Sequence, residues 1–166
     1  MVLFKSQLRD NPAAQDKIVT WIKALRSGLY SQSHGVLRDK DGGFCCLGVV
    51  LDLEDPNGWD IDLSGSAMDM LGKKGFQHKL SANSVTGTLV GGANIYYPNN
   101  EAKGTLCLTN EGAERLGVLN DGSKMDDALP KSFAQIADFL ETQMKLAIAD
   151  PGRLDPVAWS PSGVVV

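Results

Sequence analysis

An apolar stripe with both of its ends marked constrains this chain more than any other feature. Asn11 is a strong helix N-cap, and Pro12 suits the first helical position. Ile18, Trp21, Ile22 and Leu25 then follow the i, i+3, i+4, i+7 spacing of one helix face. Lys17, Lys23 and Arg26 lie off that face, and Gly28 supplies a left-handed terminator. The pattern predicts an amphipathic helix over 12–27. A second stripe lies near the other end, at Phe133, Ile136, Ala137, Leu140 and Met144. It is entered after Pro130 through Ser132 and Gln135, which have capping-box spacing, and it stops at Asp150-Pro151.

Shorter elements fill the space between. Val36-Leu37-Arg38 and Phe44-Cys45-Cys46 read as the two strands of a hairpin around Asp39-Lys40-Asp41-Gly42-Gly43. The apolar run from Cys46 to Glu54 predicts a short buried helix, closed by Asp55-Pro56-Asn57-Gly58. Short strands are expected at 84–90, 94–97 and 104–108, with a turn at Pro98-Asn99-Asn100. Thr109 is read as the cap of a helix ending at Leu116 and Gly117, and Asn120-Asp121-Gly122 as a turn. The fold class is α+β: a small antiparallel sheet with an N-terminal and a C-terminal amphipathic helix packed on it. Residues 1–150 form one domain, and 151–166 read as an extended arm or tail. In that tail Trp159 and Val164 to Val166 suit docking on this or a second subunit.

A chain of 166 residues can bury such a core without disulfides or metal. Cys45, Cys46 and Cys107 are odd in number and two are adjacent, which argues against a disulfide framework. Sixteen basic against twenty acidic residues give a net charge of −4, which disfavours general nucleic-acid binding. No apolar run is long enough for a membrane span, and MVLFKSQLRD lacks the apolar core of a signal peptide. The cytoplasm is the expected location. Charge is uneven: residues 1–40 carry seven Lys+Arg and three Asp, so +4, and the remainder carries −8. The basic third suits an anionic ligand, or the acidic remainder of its own or a neighbouring chain.

Two sets of residues carry candidate chemistry. Cys45 or Cys46 at a helix start would be the nucleophile of a cysteine hydrolase, with His34 or His78 as base. Against this, cysteine is often buried, and Phe44 and Leu47 flank the pair. Neither C-x-x-C nor H-x-x-x-H spacing is present, so no metal and no cofactor are expected. The second set lies between Ala24 and Arg38. Arg26 and Arg38 offer forked donors for phosphate, Tyr30 or Trp21 a stacking face, and Ser27 and Gln32 orienting hydrogen bonds. The structural alternative is that Gly28 ends a helix and Tyr30 packs over it.

The run Trp21-Ile22-x-Ala24-Leu25-Arg26-Ser27-Gly28-x-Tyr30-x-Gln32, then Gly35-x-Leu37-Arg38, then Cys45-Cys46-Leu47-Gly48-Val49, resembles small accessory proteins of tailed bacteriophages and prophages. A second block, Asn120-Asp121 with Ser132 to Glu141, is similar to the same group, with a longer separation between its halves. The resemblance implies a phage origin and the cytoplasm of a bacterial host. By analogy of genome context it implies an inhibitor of host defence. The reading that follows is a sponge: a homo-oligomer that sequesters an anionic nucleotide immune signal, a cyclic nucleotide or an ADP-ribose derivative, without turnover. The first alternative is a protein that binds a host defence effector directly, through the acidic 52–62 segment and the apolar tail. The second is the cysteine-dependent hydrolase.

Overall fold

Asn11 starts the first long helix as its sequence predicts: its side chain accepts a hydrogen bond from the Ala14 amide at 3.0 Å. A computed structural model describes residues 2–60, 67–68, 74–81 and 100–149 of the chain. Helix α1 runs Pro12–Arg26 and buries Ala14, Ile18, Trp21, Ile22 and Leu25. It stops at Ser27, and Gly28 takes a φ of +75° that few other residues tolerate. The short helix expected after the hairpin is α2 (Cys46–Glu54). Its residues from Cys46 to Leu51 are buried without a break, as befits a helix enclosed on every side.

Helix α3 spans Asn100–Thr105, α4 spans Asn110–Asp121 and α5 spans Phe133–Ala149. The capping box at the start of α5 is formed, with Ser132 N donating to Gln135 Oε1 at 3.0 Å and Gln135 N to Ser132 Oγ at 3.3 Å. Helix α5 packs along α1, so the two long amphipathic helices bury their apolar faces largely against each other. Helix α2 contacts α1, α4 and the sheet, and joins the helical layer to the strands.

The strands are short: β1 (Ser31–Gln32), β2 (Arg38–Asp39), β3 (Gly43–Phe44), β4 (Trp59–Asp60), β5 (Ala67–Met68) and β6 (Lys74–His78). Their order is β1-β3-β2-β6-β4, with β5 also paired to β6. The expected hairpin is β2 with β3, joined by the Asp39–Gly43 turn, in which Asp39 Oδ1 accepts from the Asp41 and Gly43 amides. The sheet is mixed, because β1 joins β3 in parallel. The molecule is α+β, as expected.

Two local expectations are corrected. Residues 104–108 are not a strand: α3 ends at Thr105, Cys107 turns at φ +51°, and only Leu108 makes a bridge, to Phe4. The apolar alternation of Leu106 and Leu108 reflects burial of both side chains at that turn. Helix α4 does not stop at Gly117 but continues to Asp121, with Gly122 at φ +77° as its terminator. Burial of Leu116, Leu119 and Asn120 outweighs the roughly 1 kcal/mol that an interior glycine costs a helix. Asn120 and Asp121 are therefore the last helical residues rather than a turn. The strands expected at 84–90 and 94–97, the turn residues Pro98 and Asn99, and the tail 151–166 lie outside the described residues.

Candidate functional site

Most of the polar residues that the sequence gathers between 24 and 38 are occupied within the chain. Arg26 bridges to α5, with its Nη2 2.6 Å from Asp138 Oδ1 and 3.2 Å from Glu141 Oε2. These two carboxylates raise the pKa of the Arg26 guanidinium further still. The basic N-terminal third thus partly faces the acidic remainder of its own chain, and Lys17 does the same toward Glu54 at 2.9 Å. Ser27 Oγ donates to Ala24 O and accepts from Leu29 N, closing the end of α1. Trp21 is fully buried, and its indole N–H donates to Cys46 O at 2.9 Å, so it has no open face on which a base could stack. Gln32 Nε2 donates to Lys131 O at 2.8 Å and to Asn120 Oδ1 at 3.1 Å.

The two adjacent cysteines are structural in geometry. Cys45 caps α2 through its thiol, which accepts from Gly48 N at 3.3 Å. The Cys46 thiol reaches Leu116 O at 3.4 Å. Burial pushes the Cys45 thiol up to about 12 and the Cys46 thiol well above its ordinary value, so neither supplies thiolate at neutral pH. Desolvation outweighs the favourable helix start. Of the two histidines offered as bases, His34 Nδ1 lies 2.7 Å from Asn120 O. His78 is buried, with Nε2 2.8 Å from Asp55 O and Nδ1 accepting from Leu80 N. Accordingly, a thiol-alkylating reagent added to the native protein is expected to leave Cys45 and Cys46 unmodified, and to label both in denaturant. Rapid native labelling of either, read by peptide mass, would overturn this placement.

Arg38 is different. The register sets Arg38 opposite Phe44 on β3 and opposite Phe76 on β6, so all three side chains share one face of the sheet. Along β6 the same face continues to His78, which is paired with Trp59 on β4. The guanidinium carbon lies 5.3 Å from the Phe44 ring centre, 5.5 Å from Trp59 and 5.7 Å from Phe76. Nε is buried without a hydrogen-bond partner, and no carboxylate among the described residues pairs with the group. Among the described residues ring faces alone hold this half-buried cation, which keeps its N–H donors available for an incoming acceptor.

Tyr30 and Asp52 complete this wall. Tyr30 meets Phe44 edge-on at 5.1 Å, and Phe44 meets Trp59 at 5.7 Å. Asp52, on the second turn of α2, accepts from the Tyr30 hydroxyl and from Trp59 Nε1, each at 2.8 Å. Burial first, and then this bond, push the Tyr30 hydroxyl up to about 12, so it stays a donor. The sequence singled out Arg38 and Tyr30 but missed Phe44, Asp52, Trp59 and Phe76. Strand register brings the three rings together, and α2 adds Asp52. Among the described residues no three His, Cys, Asp or Glu side chains gather to hold a metal, and no helix is long and apolar enough to cross a membrane.

A family model described as a domain of unknown function (DUF8296) matches residues 14–144. No curated protein and no solved structure matches the chain.

Proposed function

We propose that this chain, which belongs to the DUF8296 family, binds a small anionic nucleotide through Arg38 and holds it without turnover. The observation that carries the reading is the Arg38 guanidinium, whose Nε is buried without a partner and which pairs with no carboxylate among the described residues, set between Phe44 and Phe76 and against Trp59. A buried donor without an acceptor costs roughly 1–3 kcal/mol, and more when charged. A bound phosphate would remove that cost and gain a forked, charge-assisted pair. Arg26, Trp21, Ser27 and Gln32 are assigned to the fold, because each already has an internal partner. The raised thiol pKa values of Cys45 and Cys46 favour binding over cysteine-dependent hydrolysis.

The resemblance to small phage and prophage proteins supports a role in the cytoplasm of a bacterial host. There the chain would act as a counter-defence sponge for a cyclic nucleotide or ADP-ribose-type signal. A homo-oligomer belongs to the same reading, since a small chain gains pocket wall by sharing it across a symmetric interface. A second reading, direct binding to a host defence protein, has one supporting observation. Leu29, Met125 and Leu129 are large apolar side chains exposed at 87, 96 and 75%.

The test is depletion. The protein is incubated with a panel of cyclic dinucleotides, cyclic oligonucleotides and ADP-ribose derivatives and filtered off, and the filtrate is chromatographed. The expected result is that one nucleotide disappears and returns intact when the protein is heated. Arg38→Gln should deplete it about tenfold less well, or worse, as losing a charged hydrogen bond predicts. Arg26→Ala should deplete it as the parent does. Undiminished binding by Arg38→Gln would remove the assignment. Chemical alteration of the ligand would indicate an enzyme. No depletion at all would shift the search to a protein partner at the exposed leucines and Met125.

A further inference from the structure

Trp59 touches two charged groups that do not touch each other. Its ring lies 5.5 Å from the Arg38 guanidinium carbon, and its Nε1 donates to Asp52 Oδ1 at 2.8 Å. Both charges are half-buried, and neither has an ion-pair partner among the described residues. Among the described residues they are not paired with each other. Instead both lie against the same series of edge-on rings, Arg38 over Phe44 and Trp59, and Asp52 on the Tyr30 hydroxyl and Trp59 Nε1. Asp52 is held rigidly, because each oxygen accepts one bond, from Trp59 Nε1 and from the Tyr30 hydroxyl. An ionised carboxylate has about four acceptor positions, so about two remain.

From this cation and carboxylate held against one indole we infer that the ligand of the Arg38 site bears a free ribose diol, whose hydroxyls donate to Asp52 while its phosphate sits on Arg38. The inference rests on the Arg38 reading and deepens it. The site then offers one cation for the acceptor end of the ligand and one carboxylate for the donor end, with the Trp59 ring in contact with both. Sugar hydroxyls next to a phosphate have this polarity, and carboxylate recognition of a ribose diol is a common solution in nucleotide sites. The predicted preference is for an ADP-ribose-type ligand over a 3′,5′-linked cyclic dinucleotide, because 3′-linkage consumes one hydroxyl of each diol.

Calorimetric titration of the parent protein with ADP-ribose and with 3′,5′-cyclic di-AMP tests this without any substitution. ADP-ribose should bind about ten- to a hundredfold more tightly, the span expected for a charge-assisted hydrogen bond. Asp52→Asn should lose most of that preference, and Arg38→Gln should weaken both ligands. Equal binding of the two ligands, with both still dependent on Arg38, would overturn the diol assignment and leave the Arg38 site standing. Binding of neither ligand, or binding indifferent to Arg38→Gln, would overturn the site and the inference together. Should Asp52→Asn fail to fold, as judged by circular dichroism, the comparison of ligands on the parent protein still decides.

Discussion

Asn120→Ala is expected to destabilise the protein by about 3–5 kcal/mol, the range for breaking a buried hydrogen-bond network. Asn120 is completely buried at the end of α4. Its Oδ1 accepts from Cys46 N and from Gln32 Nε2, each at 3.1 Å. Its Nδ2 donates to Ser33 O at 2.8 Å and to Asp121 Oδ1 at 2.7 Å. The backbone oxygen of the same residue meets His34 Nδ1, and Asp121 Oδ1 also accepts from Gly35 N. One amide thus ties the 31–35 segment, the first residue of α2 and the end of α4 together. Alanine would leave the Cys46 amide facing a small cavity without its side-chain acceptor, and would remove the donor that Nδ2 gives the Ser33 carbonyl. Urea unfolding monitored by circular dichroism measures the loss. A change under about 1 kcal/mol would mean that water replaces the side chain at little cost, and that Asn120 does not organise this end of the molecule.

Gly48→Ala is expected to be as damaging, for a steric reason. A Cβ at Gly48 would lie 1.8 Å from the Leu37 carbonyl oxygen and 2.8 Å from its carbon. That carbonyl accepts from Cys45 N at 3.1 Å, so the clash falls on the hydrogen bond that seats the start of α2 beside the hairpin. Neither partner is a flexible side-chain end, and relief requires the helix to move. A loss of about 3 kcal/mol or more follows, at the upper end of overpacking effects. Gly104→Ala is the matched control. It lies in α3 with nothing within 4 Å of an added Cβ, and replacing a helical glycine there should be neutral, or stabilising by up to about 1 kcal/mol. If both variants melt with the parent, the close approach of α2 to Leu37 is wrong.

These two residues also show where a sequence stops being readable. Gly48 stands in an apolar run and Asn120 in an Asn-Asp-Gly string, and both patterns have ordinary local meanings: a buried segment and a turn. The first meaning holds and the second does not. Asn120 belongs to a helix because Leu116 and Leu119 keep α4 going past Gly117, and the asparagine then finds partners from residues 32 to 46. Several positions of the phage-like pattern serve this junction: Gln32, Gly35, Cys46, Asn120 and Asp121. The 24–38 cluster met a similar fate. Arg26 was legible as a helix-end cation, but its partners Asp138 and Glu141 are over a hundred residues away on another helix.

By itself the sequence determined the α+β class, the two long amphipathic helices with their Asn11 and Ser132 caps, the hairpin around Asp39, and the short buried helix after Cys45. Each of these rests on interactions within about a dozen residues, where periodicity, capping and turn chemistry act directly. Tertiary structure decided the extent of α4, the turn at Cys107 that replaces an expected strand, and the inertness of the buried thiols. It also decided which arginine is held by carboxylates and which is left against aromatic rings. Arg26 and Arg38 differ little in their local sequence. What separates them is that a helix face sets two carboxylates beside one, while strand pairing sets Phe44 and Phe76 on either side of the other.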